Sequence, residues 1–150
     1  MLYPFELPDA MAYIRGGALA PEIHGVVEFY NKRPGVLVVA RIRDLPATNP
    51  TGFFALHIHE GKSCRGRGFA STGGHYNPTA KLHPMHAGDL PPLLFCDGQA
   101  YLQVLTNRFK LEEVLGRTIV IHQGPDDFRS QPAGDAGEKI ACGIIMPKSN

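Results

Sequence analysis

Short runs of apolar and β-branched residues, separated by glycine and proline, are the feature that most limits what this chain can fold into. Alternating and β-branched residues favour strands, and the turn signals between them recur at the spacing typical of an antiparallel sandwich or barrel. The runs that predict strands are 12–17, 24–30, 35–45, 53–59, 100–106, 118–122 and 140–145. Only residues 109–115, FKLEEVL, have helical spacing, and they make one turn. The sequence therefore predicts an all-β fold.

Two long stretches, 61–92 and 123–138, contain no strand pattern. Loops of that length in a compact domain are usually functional or disordered. The first stretch holds three of the chain's seven histidines, so we interpret it as functional. No repeat, linker or low-complexity segment divides the chain, and its 150 residues therefore predict one domain, 1–150.

The charge balance excludes several classes of partner. Fifteen lysines and arginines face fourteen acidic residues, which gives no basic field for nucleic acid and no acidic tail. No stretch approaches the length of a membrane span, and the first residues, MLYPFELPDA, lack the basic start and apolar run of a signal peptide. We expect no membrane partner and a cytoplasmic location, or a periplasmic or secreted one if a leader has been removed.

The histidines cluster, with five of the seven between positions 57 and 86. In the strand pattern ALHIHE, the period of two places His57 and His59 on one face. Further histidines follow in GGHYNP, in HPMHAGD and at the end of TIVIH. Six imidazoles and one carboxylate exceed the four ligands of a closed zinc site, so the set predicts two metals that share a ligand.

Ligand chemistry suggests how the set divides. Three histidines and an aspartate suit tetrahedral zinc, and four histidines in a flattened arrangement suit copper. The strand residues His57 and His59 would join His122 at one ion, and the loop residues would hold the other. His75 lies between the two groups in the sequence and is the natural shared ligand.

The segments around these residues resemble the copper/zinc superoxide dismutase family, in particular its bacterial branch. The matching segments are ALHIHE, GGHYNP, HAGDL, LGRTIVIH, PDD and GEKIACGII, and they span most of the chain in the family's order. The resemblance implies an eight-stranded antiparallel Greek-key β-barrel, an immunoglobulin-like sandwich with long metal-binding and electrostatic loops. It also implies a dismutase that converts superoxide to oxygen and hydrogen peroxide by cycling copper.

Carried over residue by residue, the resemblance implies a complete set of ligands. The implied copper ligands are His57, His59, His75 and His122, and the implied zinc ligands are His75, His83, His86 and Asp89. Asp126 matches the aspartate that orients ligands of both metals, and Cys64 and Cys142 match the family's disulfide. His75 is implied to carry a proton to the product.

One residue departs from the family pattern. Lys139 stands where the family has the arginine that guides superoxide, and lysine keeps the charge but loses the planar fork. We therefore expect Lys139 to steer the anion less well. The family resemblance leaves a homodimer or a monomer open. A second hypothesis is a non-catalytic protein with the same barrel that binds zinc and copper for storage or stability.

Overall fold

One antiparallel sheet contains most of the strands in the computed structural model, which describes residues 6–149. The strands are β1 (Ala10–Gly16), β2 (His24–Asn31), β3 (Val36–Arg43), β4 (Phe53–Phe54), β5 (Leu56–His59), β6 (Leu93–Leu94), β7 (Ala100–Thr106), β8 (Thr118–His122), β9 (Lys139–Ile144) and β10 (Met146–Pro147). A 3₁₀ segment covers Arg67–Thr72, and helix α1 covers Leu111–Val114. The one-turn helix is therefore confirmed, although it is shorter than the sequence pattern.

The order of strands across the sheet is β5, β8, β9, β1, β2, β3, β7, with β10 paired to β1. Strands that are neighbours in space but distant in sequence, such as β3 with β7 and β5 with β8, are the crossovers of a Greek key. A ribbon of β4 and β6 joins the two ends of this sheet, because β6 contacts β7 and β4 leads directly into β5. The all-β, eight-stranded Greek-key prediction is confirmed.

The predicted strand 53–59 is divided in two at Ala55. Phe53 and Phe54 pair with β6, whereas Leu56 to His59 pair with β8. Between them, the N–H of Ala55 donates to the carbonyl of Gly124, and its own carbonyl accepts from His122. The chain changes partner at this residue, so the continuous apolar run contains two short strands.

The interior is filled by alternate residues of each strand. Val38, Ala40 and Ile42 of β3 and Ile119 and Ile121 of β8 lie in one continuous apolar cluster. Each large aliphatic side chain that is buried there stabilises the fold by about 1.5–3 kcal/mol relative to exposure. The packing fixes the register of β5 and β8, and this register decides which face of the barrel carries their remaining side chains.

The long stretch 61–92 runs over that outer face and is tied down at one end by a disulfide. Cys64 and Cys142 are bonded, with their Cα atoms 5.9 Å apart, as the family resemblance implied. The bond joins the beginning of the loop to β9. No helix within residues 6–149 has the length and apolar character needed to cross a bilayer.

Candidate metal centre

The strands supply three histidines from one face. Leu56 and Ile58 of β5 point into the core, so the alternate residues His57 and His59 point outward. His122, at the end of the neighbouring strand β8, lies on the same side. All three imidazoles are nevertheless buried, with at most 3% of their surface exposed, because the long loops cover them.

The 61–92 loop follows β5 closely enough to pair with it. The N–H of Tyr76 donates to the carbonyl of Ile58, and the N–H of Ile58 donates to the carbonyl of Gly88. Isolated bridges also pair His59 with His75 and His57 with Asp89. A Cβ on Gly88 would fall 2.2 Å from the carbonyl oxygen of Ile58, so this approach requires glycine. The pairing brings the loop ligands beside the strand ligands.

The first group consists of His57, His59, His75 and His122, which each offer a nitrogen within 4.8 Å of the others. Two of them are oriented by glycine carbonyls: Nδ1 of His59 donates to Gly73 at 2.9 Å, and Nδ1 of His122 donates to Gly137 at 3.2 Å. These bonds leave the two Nε2 atoms free of protons, and the Nε2 atoms lie 3.2 Å apart. Four imidazoles that converge in this way suit copper.

The second group surrounds Asp89. Its Oδ1 lies 2.8 Å from Nδ1 of His75, and its Oδ2 lies 3.1 Å from Nδ1 of His83 and 3.3 Å from Nδ1 of His86. Nδ1 of His86 is 3.2 Å from that of His75. A tetrahedral zinc with bonds of about 2.0–2.1 Å would separate its ligand atoms by roughly 3.3 Å. The distances among these four side chains match that size.

When the second group is defined only by the distances between ligand atoms, one of its four members is different. His57, His75, His83 and Asp89 all place one ligand atom within 4.8 Å of each other, which sets His57 in the place of His86. We place His86 in this group because its Nδ1 lies 3.3 Å from Oδ2 of Asp89 and 3.2 Å from Nδ1 of His75, and His57 already belongs to the first group. The short distance reflects how closely the two groups adjoin.

The ring nitrogens without partners show that the site fits metal ions. Among residues 6–149, Nδ1 of His57, Nε2 of His75 and Nδ1 of His83 are buried and make no hydrogen bond. A buried polar atom without a partner costs free energy, and a bound cation would remove that cost. His75 presents Nδ1 to the second group while Nε2 stays unpaired, which suits a ligand shared between two ions.

Asp126 links the two groups through one carboxylate. Oδ2 accepts from Nε2 of His57 and Oδ1 accepts from Nε2 of His83, both at 2.8 Å. The N–H of Phe128 also donates to Oδ1. Burial alone would raise the pKa of Asp126, but these hydrogen bonds outweigh it and hold the pKa well below its usual range. With Nε2 of each ring donating to an ionised Asp126, Nδ1 of His57 and of His83 is left free to bind a cation.

Burial also keeps the strand histidines neutral. Burial lowers the pKa of His59 to about 2 and that of His122 to about 3. Repulsion from the neighbouring histidines and from Lys139 lowers both pKa values further. The pKa of His57 is lowered by burial too, against an opposing effect of Asp126. Since a metal binds the neutral imidazole, these shifts favour coordination at neutral pH.

Lys139 lies at the edge of the first group. Its Nζ donates to Oγ1 of Thr72 at 2.8 Å and to the carbonyl of Gly73 at 2.9 Å. Burial lowers the pKa of this ammonium. Gly73 is the same carbonyl that orients His59, so the ammonium and a candidate copper ligand share one acceptor.

The predicted ligands, Asp126 and Lys139 therefore lie in one connected structure, but the sequence did not indicate all of its components. The carbonyls of Gly73 and Gly137, the hydroxyl of Thr72 and the close approach of Gly134 to Asp126 were not predicted. The only signal in the sequence was the frequency of glycine around the ligands. A carbonyl acceptor has no side chain that a motif could reveal.

Comparison with known proteins identifies relatives with matching chemistry. Residues 23–145 match the family model described as copper/zinc superoxide dismutase. Superoxide dismutase [Cu-Zn] 2 of Aquifex aeolicus is 38% identical over 139 residues, which cover 83% of this chain and 80% of that protein. The Superoxide dismutase [Cu-Zn] of Francisella tularensis is 35% identical, over 85% of this chain and 70% of its own.

Solved structures have the same fold. The Cu/Zn superoxide dismutase from Brucella abortus superimposes with a TM-score of 0.77 at 26% identity, and the match covers 91% of this chain and 99% of that one. A SOD-like protein from Bacillus subtilis gives 0.75 at 26% identity, over 91% and 97% of the two chains.

Proposed function

This chain belongs to the copper/zinc superoxide dismutase family, and on that premise we propose how its own residues carry the reaction. The reaction is the conversion of superoxide to oxygen and hydrogen peroxide, with copper and zinc as cofactors. The observation that carries the residue assignment is the pair of adjoining ligand groups that meet at His75, with unpaired buried nitrogens directed into them.

We assign copper to His57, His59, His75 and His122, and zinc to His75, His83, His86 and Asp89. The hydrogen bonds of the rings support this division. Nδ1 of His57 and the Nε2 atoms of His59 and His122 are left without protons, since their opposite nitrogens donate to Asp126, Gly73 and Gly137. The hypothesis of a non-catalytic storage protein is not favoured, because the relatives of this chain are named superoxide dismutases.

Bound copper supplies a one-electron redox couple, and bound zinc supplies fixed positive charge beside the shared imidazole. The protein supplies position and protons. Nε2 of His75 is the buried, unpaired nitrogen of the shared ring, and it is the atom that takes up a proton and delivers it to reduced superoxide. Nδ1 of the same ring stays directed toward Asp89, which holds the ring in place.

Lys139 attracts the substrate. Superoxide is a small monovalent anion, and a cation at the entrance of a buried site raises its local concentration and its rate of arrival. Lys139 is partly exposed and is directed by two acceptors beside the first group. Its ammonium group is a point charge with three donors, so it attracts the anion with less orientation than an arginine would give.

His122→Ala tests the copper assignment. The purified variant, supplied with both metals, is expected to lose copper and catalysis while it retains about one zinc per chain, because His122 belongs only to the first group. Metal content and superoxide decay by pulse radiolysis measure the two effects. His24→Ala is the matched control, since His24 is an exposed histidine beside Asp44 and belongs to neither group. Retained activity in His122→Ala would refute the assignment.

Three wider features are further proposals. The continuous apolar cluster from β1 to β9 supports a single domain, which would unfold in one cooperative transition.

The Cys64–Cys142 bond supports an oxidising compartment such as the periplasm over the cytoplasm, and thiol labelling of fractionated cells would test this. The choice between homodimer and monomer would be measured by light scattering of the purified protein.

A further inference from the structure

A buried threonine lies between the metal loop and the guiding cation. Thr72 ends the 3₁₀ segment and has none of its surface exposed. Its hydroxyl donates to the carbonyl of Phe69 at 2.8 Å, which leaves the oxygen lone pairs to accept from Nζ of Lys139 at 2.8 Å. The direction of this hydroxyl is therefore fixed by the backbone and not by the lysine.

We propose that Thr72 is a positioning residue for superoxide, which holds the ammonium group of Lys139 in a single place beside the copper ligands. The proposal rests on the proposed function and extends it to a residue with no metal contact. Lysine has a long, flexible side chain, and a point charge on it is spread over many positions unless acceptors hold it. Thr72 and Gly73 supply two such acceptors.

The number of donors agrees with this role. An ammonium group has three N–H donors, and two of them go to Thr72 and Gly73 in the described chain. The third donor remains for an anion that arrives at the site. Because both acceptors are adjacent in sequence, the direction of the third N–H is set by one short rigid segment.

The segment itself is held firmly. The carbonyl of Thr72 accepts from the N–H of Gly61 at 2.8 Å, and the carbonyl of Gly73 accepts from His59. A Cβ on Gly61 would fall 2.1 Å from the carbonyl oxygen of Ser71, so the two parts of the loop are in close contact. The position of the ammonium is thus linked to the ring of a copper ligand through the Gly73 carbonyl.

The experiment compares Thr72→Val with Thr72→Ser in the full-length protein. Valine keeps the shape and removes the acceptor, whereas serine keeps the hydroxyl. We expect Thr72→Val to lower kcat/KM for superoxide about threefold at low salt and to weaken azide binding to the copper-loaded protein by a similar factor. The rate should depend on ionic strength as it does in the wild-type protein, because the variant retains the charge of Lys139. Thr72→Ser should keep both kcat/KM and the affinity for azide at the wild-type level.

A double-mutant cycle separates positioning from a general structural effect. Lys139→Met should lower kcat/KM about tenfold, and adding Thr72→Val to it should cause no further loss, because the hydroxyl acts only through the lysine. Ser71→Ala, which removes an exposed hydroxyl one residue away, is the control and should leave the rate unchanged. Additive losses in the double variant would overturn the proposal.

A measurement on the metal-free protein keeps the two proposals distinguishable. When Lys139 is held, its two Hε protons should have different NMR chemical shifts, and in Thr72→Val this difference should collapse while Thr72→Ser retains it. No change in Thr72→Val would refute the positioning role even in an active enzyme. If wild-type protein loaded with both metals failed to dismutate superoxide, the proposed function would fail, whatever the NMR result.

Discussion

Gly134 lies directly against the carboxylate of Asp126. A Cβ on Gly134 would fall 2.0 Å from Oδ1 of Asp126 and 2.7 Å from Nε2 of His83, and these two side chains are hydrogen-bonded to each other. The carbonyl of Ser130 accepts from the N–H of Gly134 at 2.7 Å, so the backbone has little room to move away. The absence of a side chain at this position is therefore a condition for the contact between Asp126 and the metal loop.

Gly134→Ala should weaken metal binding more than it weakens the fold. The added methyl group has to displace Asp126 from His83, and the loss of such an orienting contact typically costs 10–100-fold in metal affinity. Competition with a chelator of known affinity measures the effect. Gly98→Ala is the matched control, because Gly98 also has a positive φ but meets nothing within 4 Å. Equal metal affinity in both variants would contradict the prediction.

Asp126→Asn should reduce the affinity for both metals. An amide has one acceptor oxygen where the carboxylate has two, so His57 and His83 cannot both donate to it, and one ring loses its fixed orientation. We expect a loss of about 10–100-fold for zinc and copper. Asp127→Asn is the neighbouring control: Asp127 is exposed and caps a turn through Arg129 and Ser130. Unchanged affinity in Asp126→Asn would mean that Asp126 does not orient the ligands.

The metal-free protein should lose stability as the pH falls below about 6.5. Burial depresses the pKa of His57, of His59 to about 2 and of His122 to about 3 from the ordinary value of 6.5, so the unfolded chain binds protons that the folded chain excludes. The contribution of these neutral rings to the free energy of unfolding is complete above pH 6.5. It is lost as the pH falls toward their pKa values in the folded protein. Asp126 acts in the same direction below pH 3.8, since its folded pKa is also depressed.

Urea denaturation of the metal-free protein at a series of pH values measures this loss. Each excluded proton contributes a slope of about 1.4 kcal/mol per pH unit, so His59 and His122 together give about 3 kcal/mol per unit between pH 6 and pH 4, and the depressed pKa of His57 adds to the loss. His122→Gln should reduce the slope of the free energy of unfolding against pH by the contribution of one proton, about 1.4 kcal/mol per pH unit. A free energy of unfolding that stays constant from pH 7 to pH 5 would show that these rings are not buried as neutral groups.

The sequence was sufficient for the seven longer strands and for the expectation of two adjoining ligand groups, because both depend on local rules. The period of two placed His57 and His59 together, and ligand chemistry made His75 the natural candidate for a shared ligand. The resemblance then supplied Asp126 and the disulfide. These predictions depend on side-chain type and spacing, which the sequence states directly.

The remaining features depend on how distant backbone segments meet. The two-residue strands β4, β6 and β10 carry too few residues for a period, and β4 and β5 divide at Ala55 because its N–H donates to the carbonyl of Gly124, 69 positions away by residue number. The contact between Thr72 and Lys139 joins residues whose separation in sequence is 67. No local pattern carries that information, and a buried threonine alone suggests only core packing.

The Cys64–Cys142 bond should stabilise the fold strongly. It closes a loop with a sequence separation of 78, for which the chain-entropy model gives about 4–5 kcal/mol. The double variant Cys64→Ser with Cys142→Ser should show this loss in the free energy of unfolding by urea. Cys96→Ser is the control, because Cys96 is a free, exposed cysteine. A loss below about 1 kcal/mol would show that the bond contributes little to the stability of the fold.

Lys139→Arg should raise the rate at low salt by about twofold to fivefold. A guanidinium group can keep the bonds to Thr72 and Gly73 and still offer a planar pair of donors to superoxide, which the ammonium cannot. Because both side chains carry one charge, the dependence of the rate on ionic strength should be the same in the two proteins. Arg129→Lys is the control for a charge-conserving exchange in the neighbouring loop and should leave the rate unchanged. An unchanged or lower rate in Lys139→Arg would mean that Lys139 does not guide the substrate.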